Sequence, residues 1–361
     1  MNREFSTYLD AIRFTAAMLV VVSHFTFSQF IADVPYQGAL AGMSVTVFFV
    51  LSGYVIAYVA DQKEHTLREF AVSRLARVYS VALPALALTI LIDLYMLHKG
   101  VGQNVPVYEY RSLWKYLPIF LTFTSEIGPM HVIVLTDGTF WSLSYEVWYY
   151  VAFAAVFYLR GVWRIVAGLA ALAILGLPAL MYLPVWLLGT ACYCLHQRTK
   201  VSPAIASIGA IVTASALIGL WAFGFMDAAD GGAMAALHGW PKTVHNSMNF
   251  PSHYIAGVLT AAHFYFVRYC SLGYLRGRQT RAAITYMASF TFALYLAHRP
   301  LMDLWAFLLD HDPHSIASVA LLFWMVMFSV WCFAFISEHK KTWWRGAFSS
   351  LLGAARKTRA A

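Results

Sequence analysis

Long apolar runs separated by short polar loops make up almost the whole chain. Most of these runs approach the roughly 20 residues that an α-helix needs to cross a bilayer. The pattern therefore predicts an all-α, polytopic membrane bundle of about ten transmembrane helices. The shortest span, 184–196, is expected where the bilayer is locally thinned or where other helices surround it. The predicted spans are residues 9–30, 40–60, 77–97, 139–159, 164–181, 184–196, 203–225, 252–268, 284–309 and 315–337.

The charges of the loops predict how this bundle is oriented. Lys and Arg concentrate in alternate loops and in the C-terminal tail, whereas the other loops carry mainly Asp. By the positive-inside rule, both termini are then cytoplasmic. The apolar segment 113–124 is too short to cross comfortably, and a crossing there would place every later basic loop outside. We expect this segment to be re-entrant or interfacial, with residues 1–340 forming the membrane domain and residues 341–361 a basic cytoplasmic tail.

Composition narrows the class of protein further. The chain is 60% apolar and 12% charged, whereas a soluble domain is about 45–50% apolar and 25% charged. The net charge of +8 lies mainly in the predicted inside loops, which argues against nucleic-acid binding. The cysteines and the external histidines match no usual ligand spacing, so no metal is predicted. No internal repeat of the kind common in transporters is visible, and the first apolar run lacks a signal-peptide cleavage site.

The first span carries three ionisable residues, Asp10, Arg13 and His24. Arg13 and His24 are eleven residues apart, close to three helical turns, so they share one helix face roughly 16 Å apart along the axis. Ionisable groups at membrane depth are costly and therefore indicate function. His24 is a candidate general base or acyl-accepting nucleophile, or else a histidine that only braces a neighbouring helix. Arg13 either pairs with Asp10 or binds a phosphate-bearing donor.

Charged residues lie at the entry to one later span and inside another. Arg74 and Arg77 lie three residues apart and suit a diphosphate, although the positive-inside rule alone also predicts basic residues there. Glu146 lies inside a predicted span, where a carboxylate is costly unless it is paired or functional. It is a candidate to orient His24, to bind acceptor hydroxyl groups, or to act as a purely structural partner.

Two more positions stand out for other reasons. Ser52 and Gly53 interrupt a bulky apolar helix, which favours close helix packing, with close approach of a donor arm as the alternative. His298 lies mid-span before Arg299 and Pro300, and the proline disturbs local hydrogen bonding. His298 therefore either lines an acceptor path or braces its helix.

Five motifs, in order along the chain, resemble the acyltransferase-3 family of integral-membrane O-acyltransferases. They read YLDAIRFTAAMLVVVSH, VFFVLSGYVIAY, RLAR, TFWSLSYEVWYY and SFTFALYLAHRPL, and they run from residue 8 to about residue 301. Two features depart from the family pattern. No proline follows Arg77, and Arg299 stands where an aromatic residue is common.

The resemblance implies transfer of an acyl group, most often acetyl, from acyl-coenzyme A bound at the cytoplasmic face. The acceptor would be a hydroxyl of an extracytoplasmic glycan, lipid-linked sugar or related molecule, and the protein would lie in the bacterial inner membrane among lipids. The implied catalytic residues are His24 and Glu146. The predicted donor-binding residues are Arg13, Arg74, Arg77, Ser52 and Gly53, and the predicted acceptor-binding residues are Asp10 and His298.

Two other classes of function compete with this hypothesis. A transporter or exporter would use the intramembrane polar residues as a proton or substrate path, and coenzyme A binding separates it from an acyltransferase. A non-catalytic membrane partner of a glycan assembly complex is the third class. The sequence leaves open the acyl length, the oligomeric state and the acceptor, which is a cell-surface polysaccharide, lipid-linked sugar, secreted glycan or macrolide-like small molecule.

Overall fold

The computed structural model describes residues 2–101, 113–128, 130–133, 135–236 and 249–357. Parts of two predicted external segments, at 102–112 and 237–248, lie outside the described residues, as does the end of the tail at 358–361. The described chain confirms the all-α prediction. Its α-helices are Arg3–Phe25 (α1), Gly38–Gln62 (α2), Leu67–His98 (α3), Leu113–Leu121 (α4), Phe140–Tyr158 (α5), Gly161–Arg198 (α6), Pro203–Ala222 (α7), Phe225–Ala236 (α8), Phe250–Val267 (α9), Arg278–Ala288 (α10), Thr291–Leu308 (α11), Ile316–Ile336 (α12) and Lys341–Lys357 (α13).

Six helical stretches in the described chain are long and apolar enough to cross a bilayer by length and composition. They are residues 3–25, 38–62, 67–98, 161–198, 203–222 and 316–353. Three further predicted spans correspond to α5, α9 and α11, which are 18–19 residues long and contain several Tyr, Trp or His residues. These features are those of an integral membrane protein. The number of ten crossings and the cytoplasmic termini stay predictions.

Three helix boundaries differ from the predicted ones. The first helix ends at Phe25, so His24 lies in its last turn and not deep inside a span. The predicted span 284–309 begins only at Thr291, because the polar helix α10 precedes it. The predicted spans 164–181 and 184–196 both lie in α6, which breaks at Gly176 with φ 72° and ψ 171°, a conformation open essentially to glycine. The second part of α6 is therefore longer than predicted.

The chain folds into two compact units, each assembled from separate stretches of the sequence. The first comprises residues 1–23, 37–63 and 172–288, where α9 packs against α2, α7 and α8. The second comprises residues 24–36, 64–171 and 289–361, where α3 packs against α5, α11 and α13, and α11 packs against α12. His24 belongs to the second unit, and Arg13 belongs to the first.

Two local features position functional side chains in the second unit. Thr66 and Glu69 form a capping box that starts α3, so Arg74 and Arg77 fall within its first three turns. The other feature is the burial of α11, whose residues from Ala293 to Ala297 are almost all shielded from solvent. Because the apolar core surrounds this turn, His298 is held in the interior of the unit, where it is fully buried.

Candidate active site

The last turn of α1 and the middle of α11 bring two histidines together. His24 Nδ1 lies 2.8 Å from His298 Nε2, and the two rings stack with centroids 5.1 Å apart. His298 Nδ1 lies 2.9 Å from the carbonyl oxygen of Leu294, one turn earlier on α11. Residues far apart in the sequence thus form one hydrogen-bonded chain from backbone carbonyl to His298 to His24.

The hydrogen-bond partners assign the tautomers of this pair. A carbonyl oxygen only accepts, so His298 Nδ1 donates its proton to Leu294. In the neutral ring His298 Nε2 is then an acceptor, and His24 Nδ1 must donate to it. This leaves the lone pair of His24 on Nε2. The arrangement therefore points the basic nitrogen of His24 away from its partner, as general-base chemistry requires.

Arg299 provides a cation directly beside the pair. Its guanidinium carbon lies 4.9 Å from the ring centre of Phe27 and 5.2 Å from that of Phe30, and its Nη2 lies 3.4 Å from Asp303 Oδ1. Stacking on two rings and the ion pair hold the guanidinium in place. The residue that departs from the family pattern therefore lies next to the candidate catalytic histidines.

Sequence reasoning missed a second carboxylate near this site, Asp137. The side chain is 1% exposed, and its Oδ1 accepts from the backbone N–H of Thr139 at 3.0 Å. The Thr139 hydroxyl lies 2.6 Å from the same oxygen and 3.1 Å from the carbonyl oxygen of Tyr295 on α11. Burial raises the pKa of Asp137 to about 7. Asp137 lies in a loop, where an aspartate is common, and nothing in the sequence around it indicates that the folded chain buries it.

Glu146 lies on α5, where its carboxylate accepts a hydrogen bond from the Tyr150 hydroxyl on the next turn. Glu146 is one of the candidates to orient His24, and in the structure His298 hydrogen-bonds to the His24 ring. The catalytic role of Glu146 stays a prediction. Through Tyr150, Glu146 is linked to Arg74 of α3. The Arg74 guanidinium carbon lies 5.9 Å from the ring centre of the same Tyr150.

The predicted diphosphate site is partly neutralised. Arg74 Nη2 lies 2.9 Å from Glu64 Oε1, and both side chains are largely buried. Arg74 Nε and Glu64 Oε2 have no hydrogen-bond partner among the described residues. Arg77 follows on the same helix. A phosphate arriving at Arg74 must therefore compete with an existing carboxylate.

Arg74 also lines an apolar cavity of about 410 Å³. Its walls come from α3, α5 and the turn after α4, with Tyr79, Thr122 and Tyr150 as the other polar members. Such a volume lies within the range of small-molecule sites. The cavity wall places the Arg74 guanidinium next to space that a ligand can occupy.

The remaining predicted residues lie in the first unit. Arg13 Nη1 donates to Asp10 Oδ1 at 3.0 Å, which is the helical pairing expected from their spacing. Ser52 Oγ accepts from Trp186 Nε1 at 3.3 Å, and Gly53 lies directly against the Trp186 backbone. These contacts agree with the favoured interpretation of Ser52 and Gly53 as a packing site. The donor-binding and acceptor-binding roles of all four residues stay predictions.

The fold and this site together define a class of protein, an integral membrane protein with a hydrogen-bonded histidine pair in a helical bundle. The family described as "Acyltransferase domain" matches residues 6–338, so the chain belongs to the acyltransferase-3 family. It is also similar to the acyltransferase MdmB of Streptomyces mycarofaciens, with 30% identity over 179 residues, or 46% of this chain and 44% of that protein. The chain thus matches less than half the length of this relative. No solved structure matches the chain.

Proposed function

We propose that the protein is a membrane-bound O-acyltransferase that moves an acyl group, most often acetyl, from acyl-coenzyme A to a hydroxyl of an extracytoplasmic glycan or lipid-linked sugar. The observation that carries the proposal is the tautomer of the histidine pair, because it leaves His24 Nε2 free to accept a proton. Family membership supports the acyl-transfer class. The bacterial inner membrane is the proposed location, since the acceptor is then presented outside the cytoplasm.

The reaction is nucleophilic acyl substitution. His24 Nε2 accepts the proton of the acceptor hydroxyl while the hydroxyl oxygen forms a bond to the thioester carbonyl carbon. The bond from this carbon to sulfur breaks, and the thiolate of coenzyme A leaves with the electron pair. The imidazolium then returns its proton to that thiolate. His298 positions the base by accepting a hydrogen bond from the Nδ1–H of His24, and the same hydrogen bond holds the imidazolium in place.

The donor is proposed to bind through its phosphates at the arginines of α3. Arg74 and Arg77 are the candidate contacts, and the cavity beside Arg74 supplies room for a ligand. Displacement of the Glu64 carboxylate accompanies phosphate binding in this scheme. Arg13, held by Asp10, is a further candidate for the donor.

The test uses purified protein, radiolabelled acetyl-coenzyme A, and the variants His24→Ala and His263→Ala. His263 is the matched control, a half-buried histidine of the first unit bonded to Tyr8 and Thr213. We expect wild type and His263→Ala to bind the donor and hydrolyse it slowly, and His24→Ala to bind it without turnover. Label retained on the wild-type protein would favour an acyl-histidine relay over direct transfer.

A transporter predicts a different outcome. If the wild-type protein fails to bind acetyl-coenzyme A at millimolar concentration, the acyltransferase proposal is wrong and the polar residues serve a transport path. Full turnover by His24→Ala would instead agree with the acyltransferase proposal but show that His24 is not the general base.

A further inference from the structure

A buried hydrogen-bond donor and a buried acceptor are left unused beside the histidine pair. Arg299 Nη1 and Asp137 Oδ2 are both shielded from solvent, and within the described residues neither has a hydrogen-bond partner. Leaving such groups unpaired costs free energy, so native proteins usually complete them with a ligand or an ordered water. Both belong to the same unit as His24 and His298.

Hydrogen bonds link Asp137 to Tyr295 of α11, one helical turn before Arg299. The Thr139 hydroxyl bridges from Asp137 Oδ1, at 2.6 Å, to the Tyr295 carbonyl oxygen, at 3.1 Å. Tyr295 precedes Arg299 by four residues on α11, which is roughly 6 Å of helical rise. The Arg299 guanidinium is near enough to lower the pKa of Asp137, against the larger opposing effect of burial. His298 lies in the same turn and holds His24.

The charges around these atoms restrict the ligand. Arg299 shares the region with Asp303, at 3.4 Å, and with Asp137, whose pKa is also raised by Asp93. One cation among three carboxyl groups does not favour an anionic ligand. A neutral molecule that accepts at one position and donates at the next fits the pair. Neighbouring hydroxyl groups of a sugar ring do this, since one oxygen accepts from Arg299 and the other hydroxyl donates to Asp137.

We propose that Arg299 and Asp137 bind two neighbouring hydroxyl groups of a neutral sugar in the acceptor and thereby direct a third hydroxyl to His24. This inference rests on the proposed acyl transfer and names the acceptor class at that same site. Both residues position the acceptor and neither touches the acyl group. The site therefore requires a diol and discriminates against a simple alcohol of the same size.

The experiment measures transfer of label from acetyl-coenzyme A to methyl glycosides of neutral hexoses and to cyclohexanol, at pH 8. Wild type is expected to label a glycoside and not cyclohexanol. Arg299→Met is expected to raise the KM for the glycoside about 10- to 100-fold, and Asp137→Asn about tenfold, with the Kd for acetyl-coenzyme A unchanged. Glu126→Gln is the matched control, because Glu126 is a buried carboxylate of the same unit that bonds to His131 at 3.0 Å, and its KM should match wild type.

Each contrary result has a distinct meaning. Equal labelling of cyclohexanol and glycoside by wild type overturns the diol site, even if a variant fails to fold. Wild-type KM values in both folded variants overturn it as well, as expected if only buried water joins the two side chains. Donor binding and hydrolysis with no labelled glycoside overturn this inference while the proposed function stands. Absence of donor binding removes the proposed function itself.

Discussion

Replacing Gly53 by alanine tests how closely α2 and α6 approach. A Cβ at Gly53 would lie 2.0 Å from the carbonyl oxygen of Trp186 and 3.3 Å from the Thr190 nitrogen. The contact is reciprocal, since a Cβ at Gly189 would lie 1.9 Å from the Val50 carbonyl oxygen. Ordinary contact begins at 3.4 Å, so Gly53→Ala requires the two backbones to separate by about 1.4 Å.

Such a separation affects the whole crossing of the two helices. A gap of 0.5–1 Å already removes about a quarter to a half of the dispersion energy of a contact. Overpacking typically costs about 1–3 kcal/mol, and the upper end applies here because the neighbour is backbone and not a flexible side chain. We expect Gly53→Ala to lose about 3 kcal/mol of stability. A double variant with Gly189→Ala should lose less than the sum of the single losses, since both open the same interface.

Thermal unfolding of the purified protein in detergent, followed by tryptophan fluorescence, measures the effect. Gly346→Ala is the control, because a Cβ there meets nothing within 4 Å and α13 gains a better helix former. We expect its Tm to be unchanged or slightly raised. Wild-type stability for Gly53→Ala would refute the packing argument. If that stable variant also lost acetyl-coenzyme A binding, the predicted donor contact at Gly53 would be favoured instead.

Three further predictions follow from the contacts of the second unit. His298→Ala removes the acceptor that orients the catalytic imidazole and should lower kcat about 100-fold with an unchanged donor Kd, whereas an equal rise in KM alone would contradict it. Glu64→Gln frees Arg74 for phosphate and should tighten acetyl-coenzyme A binding severalfold in a titration, while weaker binding would show that the ion pair builds the site. Burial raises the pKa of Glu126 to about 8 and that of Asp137 to about 7, so the folded state retains protons that the unfolded state loses. The contribution of both groups to the free energy of unfolding is complete below about pH 4. The Tm should therefore fall as the pH rises to about 8.

The pH prediction has its own control. Glu126→Gln keeps a neutral side chain beside His131, whose Nδ1 lies 2.9 Å from Glu126 Oε1, and it should flatten the fall in Tm above pH 5. A Tm that rises between pH 5 and 8 in the wild type would contradict the raised pKa values. An unchanged slope in Glu126→Gln would assign the effect to other groups.

The amino-acid sequence by itself determined most of the long apolar helices of this protein and the polar residues within them. The bounds of α5, Phe140–Tyr158, and of α12, Ile316–Ile336, agree with the predicted spans to within one residue. The pair of Arg13 with Asp10 is one of the two alternatives that their helical spacing predicts. A membrane span depends on the transfer of one apolar segment into lipid, and a pair three residues apart depends on the helical repeat. Both properties are local to a single stretch of chain, so they can be predicted from its sequence.

Tertiary structure alone decided which of those residues meet. His24 and His298 are 274 residues apart, and no local pattern indicates that they form a pair. The burial of Asp137 and the ion pair of Arg74 with Glu64 likewise arise only when helices and loops pack together. The physical reason is that the partner of a buried polar group is chosen by the packing of whole helices, whereas the cost of burying that group is already evident in its own segment.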